Sequence, residues 1–280
     1  MLLNIEHRTH YAYSESVNYT IQQLRLTPLD GFGQRVKRWE IRVNGHLYRQ
    51  QDTYGNTAHM LVVDTPHNEI SIIASGEVET GLDLPAVENA LPKEIYLRET
   101  PLTNTDAALR EFALGFAGAN AVERPDLDAM MHAVLKRVSY IKGSTAVDTT
   151  AVDAFKLGSG VCQDHAHIFI ACCRSLGLPA RYVSGYLFTQ DGSLMESHAW
   201  ADVWLDESWA SFDVSNGCHA GDTHVRLACG LDYRDACPVS GMRMGGGIET
   251  MVVSVEVNQA NNAQASLSGQ KWQQSTQAQQ

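Results

Sequence analysis

The sequence lacks any run of apolar residues long enough to cross a lipid bilayer as a helix, for which about 20 consecutive positions are needed. Its first residues, Met1 to His10, also lack the apolar stretch and the small-residue cleavage site of a secretory signal. No long basic run is present, and 32 acidic against 21 basic side chains give a net charge of −11. We therefore expect a cytoplasmic protein without a membrane segment, and the acidic balance argues against a nucleic-acid partner.

Paired cysteine motifs are missing as well. The six cysteines form no CxxC pair and no repeated Cys/His spacing of the kind that binds structural zinc. We expect them to be free thiols, as is usual in the cytoplasm. No EF-hand-like loop of Asp, Asn and Gly is present either, which gives no support for a calcium requirement. The sequence therefore predicts no metal and no other cofactor.

The apolar content is sufficient for one large domain or two modest ones, since 44% of the 280 residues are hydrophobic. Residues 1–83 alternate apolar and polar positions between turn signals, which predicts an all-β, sandwich-like domain. Residues 84–101 contain prolines and no clear period, and we interpret them as a linker. Residues 102–258 show helical patterns first and strand patterns afterwards, which is typical of an α+β domain. The tail, 259–280, has eight glutamines and a single charge, so we expect it to be disordered.

Within residues 102–258, apolar spacing, cap signals and helix stops predict four helices. They cover approximately Thr105–Phe116, Pro125–Tyr140, Thr150–Leu157 and Val161–Leu176.

Cys162 differs from the other cysteines because it directly follows the flexible loop Gly158-Ser159-Gly160 and begins the fourth predicted helix. Unpaired backbone N–H groups and the positive end of the helix dipole favour a thiolate, which is the reactive form of a thiol. The same N–H groups can donate to an oxyanion that forms on a substrate carbonyl. Cys162 is therefore the candidate nucleophile.

A nucleophilic cysteine needs a base, and the base needs a group that fixes its tautomer and stabilises its charged form. His198 and Asp202 share one face of a predicted strand, and Asp213 lies on the return strand of the same hairpin. Asp213 reaches the side of His198 only if the loop around Asp206-Glu207 has an even number of residues. We expect His198 to be the base and Asp213 the orienting carboxylate, with Asp202 as the rival.

The sequence leaves alternative roles open for several other residues near these three. The second donor to an oxyanion stays open among the side chain of Gln163, Tyr140 and the backbone N–H of Cys162. Trp200 shares the face of His198, where it could shield the imidazole from water or simply fill the core. His165 follows Cys162 at a spacing that a metal pair can use, but a packed or surface histidine is the commoner case. His219 and His224 could line the cleft, yet neither is included among the predicted site residues.

Three blocks in order resemble the signature of the bacterial transglutaminase-like superfamily, whose members are often described as cysteine proteases. They are Gly160-Val-Cys-Gln-Asp-His, Ser197-His-Ala-Trp and Trp209-Ala-Ser-Phe-Asp. The opening segment, His7-Arg-Thr-His-Tyr, is similar to the β-rich domain that precedes the core in these proteins. Asp232-Tyr-Arg-Asp is similar to their C-terminal block. The resemblance implies a papain-like α+β core with Cys162 as nucleophile, His198 as base and Asp213 as orienter.

These observations predict a cysteine-dependent acyl-transfer enzyme that acts on a protein or peptide substrate through a thioester, with hydrolysis as the preferred outcome. One alternative is a transglutaminase that passes the acyl group to an amine. A second is an interaction module that keeps the fold without catalysis, and a third is a protein that binds metal through cysteine and histidine. The sequence leaves the oligomeric state open.

Overall fold

The computed structural model describes residues 1–87, 91–118, 122–189 and 197–259. The fold is α+β, as predicted. The strands are β1 (Leu2–Leu24), β2 (Gln34–Val43), β3 (His46–Gln51), β4 (Thr57–Val63), β5 (His67–Thr80), β6 (Ser139–Tyr140), β7 (Ser159–Gly160), β8 (Ala180–Leu187), β9 (His198–Leu205), β10 (Ser208–Asp213), β11 (Cys218–His219), β12 (His224–Gly230), β13 (Val239–Gly245) and β14 (Glu249–Gln259). The α-helices are α1 (Ala107–Leu114), α2 (Arg124–Arg137), α3 (Ala151–Leu157), α4 (Cys162–Ser175) and α5 (Tyr233–Ala236), and a 3-10 helix covers Lys93–Leu97.

The first sheet has seven strands and is organised around β1, which is 23 residues long. The pairing of β1 with β5 is interrupted between Ala12 and Val17. The first half of β1 pairs with β5 and β14, whereas the second half pairs with β4 and β13. Ile5 from the first half and Leu24 from the second belong to the same apolar core. Both halves of this one hydrogen-bonded sheet therefore contribute to one core, which also contains Tyr186 and Val225 of the second sheet.

The last two strands correct the domain boundaries predicted from sequence. Residues 239–258 were assigned to the second domain, but β13 and β14 are antiparallel partners of β1 in the first sheet. The physical reason is that one edge of β1 would otherwise leave its backbone N–H and C=O groups unpaired. Gln259 ends β14 instead of beginning a disordered tail, and residues 260–280 lie outside the described part of the chain.

The predicted linker, 84–101, is also more structured than expected. It contains the 3-10 helix, in which Tyr96 is fully buried. The Tyr96 carbonyl accepts a hydrogen bond of 2.9 Å from Nε of Arg174, near the end of α4. The 3-10 helix is therefore packed against the end of α4.

The second sheet has the strand order β11-β10-β9-β8-β12 and carries the candidate site. On one face, Ala199 and Ala201 of β9 pack with side chains of α4 such as Phe169. On the other face, Trp200 packs with Tyr54, which lies between β3 and β4. We call the first sheet with its connecting loops the first unit, and the second sheet with its helices the second unit. The strand alternation of β9 thus separates a helix-packed face from a face that the first unit covers.

Two side-chain amides of the first unit complete the hydrogen bonding of β12, which lies at an edge of the second sheet. Gln34 donates to the Arg226 carbonyl at 3.0 Å and accepts from the Arg226 N–H at 2.8 Å. Asn56 makes the equivalent pair with Cys229, at 2.7 and 2.8 Å. Because these peptide groups are buried, leaving them unpaired would cost stability. Among the described residues, no helix is long and apolar enough to cross a membrane.

Candidate active site

The start of α4 places Cys162 behind a tight turn. Gly158 ends α3 with a left-handed backbone (φ 72°), a conformation that favours glycine. A Cβ at Gly160 would lie only 2.7 Å from the side chain of Asp164. Asp164 Oδ2 accepts from the Val161 N–H at 2.8 Å and from the Thr145 hydroxyl at 2.7 Å, which caps the helix. Cys162 follows as the first residue of α4 and is partly exposed.

The hairpin β9–β10 has the register that the sequence analysis required. Ser208 pairs with Leu205 and Trp209 with Trp204, so the turn consists of Asp206 and Glu207 alone. Both turn residues have positive φ, 48° and 59°, as a type I′ turn demands. The even-length loop is confirmed, and it places Asp213 on the same face as His198.

His198, Asp213 and Cys162 come together at one end of this hairpin. His198 Nε2 donates to Asp213 Oδ2 at 2.7 Å, and Asp213 is fully buried. The thiol of Cys162 lies close enough to His198 to contribute to the raised pKa of its imidazole. Because Nε2 is engaged by the carboxylate, Nδ1 is the ring nitrogen left to exchange a proton with the thiol.

The electrostatics of the pair favour a charged imidazole beside a charged carboxylate. Burial alone would lower the pKa of His198, but its hydrogen bonds to Asp213 and Cys162 outweigh burial and raise the pKa to about 10. Burial acts to raise the pKa of Asp213, whereas hydrogen bonds from His198 and His224 hold it well below its usual range. His198 can therefore hold a proton at neutral pH.

His224 is among the possible cleft residues but outside the predicted site, and the structure brings it to Asp213. It lies at the start of β12, and its Nε2 is 2.9 Å from Asp213 Oδ2. The side-chain amide of Asn216 donates to the same oxygen at 2.7 Å. The sequence signal was the position of His224 beside the loop that follows Asp213, and that position does not say which carboxylate the ring meets.

Asp202, the rival orienter, is engaged elsewhere. Its carboxylate is 2.9 Å from Arg181 Nε and 2.7 Å from Arg226 Nη1, and it accepts from the Ser211 hydroxyl at 2.7 Å. Burial opposes ionisation, but Arg226 and Arg181 lower the pKa of Asp202 to about 2. Asp202 shares a face with His198 as predicted. However, its carboxylate belongs to a buried ion cluster with Arg181 and Arg226.

The other predicted cleft residues have mainly packing roles. The side-chain amide of Gln163 donates to the Val147 carbonyl at 3.0 Å, so it is held away from the role of oxyanion donor. Trp200 is 1% exposed, and its ring centroid lies 6.2 Å from that of His198. His165 is buried, and its ring nitrogens face the backbone carbonyls of residues 161 and 138. His165 is therefore a packed histidine, as expected.

Two family models match the chain on either side of the predicted linker. One describes the bacterial transglutaminase-like N-terminal region and matches residues 3–79. The other describes the transglutaminase-like superfamily and matches residues 110–214, which include Cys162, His198 and Asp213. The chain therefore contains a transglutaminase-like core preceded by a bacterial transglutaminase-like N-terminal region. His224 lies beyond the range that either model matches.

Relatives of this transglutaminase-like protein extend over its whole fold. An uncharacterized protein of Mycobacterium leprae is 29% identical over 91% of this chain and 98% of its own length. An uncharacterized protein of Mycobacterium bovis is 28% identical over 91% of both chains. A solved structure from Cytophaga hutchinsonii, described as a "putative cysteine protease", superposes with a TM-score of 0.75 at 23% identity, over 92% of this chain and 90% of that one. This last similarity shows the fold.

Among the described residues, the transglutaminase-like core also brings together one set of possible metal ligands. The ligand atoms of His198, Asp213 and His224 lie within 4.8 Å of one another. However, Nδ1 of His224 accepts a hydrogen bond of 3.1 Å from the Gly221 N–H. A metal at Nε2 of a neutral imidazole would require the proton on Nδ1, where it would face that N–H. The hydrogen-bond pattern therefore favours a histidine–carboxylate network over a metal centre.

Proposed function

We propose that this protein is a cysteine-nucleophile enzyme that cleaves amide bonds of peptides or glutamine-type side chains, most simply by hydrolysis. The observation that carries the proposal is the 2.7 Å contact of His198 Nε2 with Asp213, which leaves Nδ1 for Cys162 at the start of α4. Nucleophile, base and orienting carboxylate are the three parts that such chemistry needs.

In the first half-reaction, His198 takes the thiol proton through Nδ1 and the Cys162 thiolate attacks the amide carbonyl carbon. A C–S bond forms, and the carbonyl electron pair moves to oxygen, where the Cys162 N–H at the start of α4 can stabilise it. The C–N bond then breaks as the His198 imidazolium gives its proton to the leaving amine. A thioester on Cys162 and a free amine result.

In the second half-reaction, His198 takes a proton from water as the water oxygen attacks the thioester carbon. The C–S bond breaks, the carboxylic acid leaves, and the proton returns to Cys162. An amine in place of water would give a transglutaminase. We prefer hydrolysis because water is always available, and we propose a protein or peptide substrate in the cytoplasm.

Thiol alkylation tests the nucleophile. At pH 6, iodoacetamide should label Cys162 at least about tenfold faster than Cys218, since an imidazolium neighbour keeps a thiolate at a pH where an ordinary thiol is protonated. The buried Cys172, whose pKa burial raises to about 12, is an internal negative control. His198→Ala should abolish the advantage at pH 6, and Cys162→Ser should remove the labelled peptide. Equal labelling of all six cysteines in the native protein would refute the proposal that Cys162 is the nucleophile of an enzyme.

A second experiment tests whether water or an amine accepts the acyl group from the thioester. A peptide library containing internal glutamines is incubated with and without a labelled primary amine. Hydrolysis predicts cleaved peptides or glutamine converted to glutamate, and neither product with Cys162→Ser. Amine incorporation as the main product would establish transfer instead. No product of either kind, together with a normally activated Cys162, would contradict this substrate class.

A further inference from the structure

A second histidine acts on the buried carboxylate of the site. Nε2 of His224 lies 2.9 Å from Asp213 Oδ2, the same oxygen that Nε2 of His198 approaches to 2.7 Å. His224 is only 7% exposed, and it belongs to β12, two strands away from β9 in the second sheet. This contact is made across the sheet and is separate from the Cys162–His198 contact.

The proton position on His224 follows from its other nitrogen. The N–H of Gly221 donates to Nδ1 at 3.1 Å, so Nδ1 is an acceptor and the ring proton lies on Nε2. Nε2–H therefore donates to Asp213. The ring of Trp200 packs against His224 edge to face, with centroids 5.3 Å apart, which fixes the ring plane. His224 is thus a neutral, rigidly held donor.

We propose that His224 is a positioning residue that, within the proposed function, holds the Asp213 carboxylate ionised and turned so that Oδ2 faces His198. The remaining donors divide between the two oxygens. Asn216 Nδ2 donates to Oδ2 at 2.7 Å, while the Ser215 hydroxyl and the Asn216 N–H reach Oδ1 at 3.0 and 3.3 Å. His224 reaches Oδ2 from β12, whereas Ser215 and Asn216 directly follow Asp213 in the chain.

The loss of this donor has a defined consequence for His198. The His224 donor fixes the orientation of the Asp213 carboxylate; without it the carboxylate can turn so that Oδ2 no longer faces His198, and the imidazolium loses part of its hydrogen bond. The titratable groups that face His198 and Asp213 are Cys162 from α4, Cys218 from β11 and His224 itself. Removing the His224 donor should therefore lower the pKa of His198.

The test is an NMR titration of the His198 ring, assigned by its absence in His198→Ala. His224→Leu should lower the His198 pKa by roughly one unit, the size expected for one hydrogen bond to a charged group. His224→Gln should restore most of the His198 pKa, because its amide nitrogen occupies the place of Nε2. His224→Asn should not, because its amide nitrogen occupies the place of Nδ1.

His219→Leu is the matched control, since His219 lies in β11, next to the strand of Asp213, and pairs with Asp128 instead of Asp213. If His224→Leu does not fold, the comparison of the Gln and Asn variants still tests the positioning role of His224. The inference is overturned if His198 titrates as in the native protein in the Leu variant, or if Gln and Asn behave alike. If His198 responds to His224 but native Cys162 is not activated at pH 6, the proposed function fails while the positioning role stands.

Discussion

At the scale of single residues, two buried carboxylates on one side of the same hairpin have different partners and hence different roles. Asp202 lies between two guanidinium groups, which stay protonated at any ordinary pH, so its charge is fixed. Asp213 lies between two imidazoles, and one of them can gain and lose a proton. Only the second arrangement can support a proton transfer during a reaction.

The pH dependence of labelling should change in Asp213→Asn. The native hydrogen bond to Asp213 raises the pKa of His198, so its loss lowers that pKa and the imidazolium survives only to a lower pH. Cys162 then loses its counter-ion, and the labelling curve should move to higher pH, with a fall of at least about tenfold at pH 6. Rates measured from pH 5 to pH 9 by mass spectrometry check this.

Asp206→Asn provides the control, because it removes an exposed carboxylate at the other end of the same hairpin. Its labelling curve should match that of the native protein. An unchanged curve for Asp213→Asn would contradict the role assigned to the carboxylate.

At the scale of elements, the hairpin β9–β10 decides whether the site forms at all. A turn with one residue more or fewer would move Asp213 to the face that packs on α4. Two residues with positive φ, Asp206 and Glu207, maintain the required register. Neither is glycine, so each adopts a backbone conformation that its Cβ disfavours.

Glu207→Gly should therefore stabilise the protein. Glycine adopts the left-handed conformation without the Cβ penalty, although it loses more backbone entropy on folding, so the net gain should be up to about 1 kcal/mol. Urea unfolding gives the free energy, and Glu207→Ala is the control that removes the charge but keeps the Cβ. Equal stabilities for the Gly and Ala variants would show that the turn is unstrained.

At the scale of the whole molecule, strands from both ends of the described chain pair with each other in the first sheet, which links the two units. Strands β13 and β14 follow the second sheet in sequence but pair with β1 of the first. Gln34 and Asn56 then satisfy the buried backbone of β12, the strand that carries His224. The first unit thus supports the site without contributing one of its reacting groups.

A fragment of residues 102–258, which is the second domain as predicted from sequence, should not fold cooperatively. It leaves β13 and β14 without β1, exposes the face of Trp200 and removes the amide partners of β12. Circular dichroism and urea unfolding of this fragment, with residues 1–259 as the positive control, test the expectation. A cooperative transition in the fragment with the midpoint of the control would contradict it.

The sequence by itself determined the local features of this protein. Apolar periodicity and cap signals located α1 to α4 within a few residues, and the glycines before Cys162 marked the start of a helix. Strand alternation in the hairpin identified His198 and Asp213 as residues that one register can bring together, and the structure has that register. These features depend on neighbours in the chain, which a sequence pattern records directly.

Only the tertiary structure decided the long-range pairings. Periodicity predicts a strand over about residues 250–257, but it does not show that the unpaired edge of β1 is the partner of that strand, and β13 was not predicted. In the same way, Asp202 and Asp213 lie on the same face of the hairpin, so the strand pattern does not distinguish them. Their partners from other strands do: Arg181 and Arg226 contact Asp202, and His224 contacts Asp213. A strand's pattern specifies which side chains share a face, whereas the partner of that face is set by packing the whole chain around a common core.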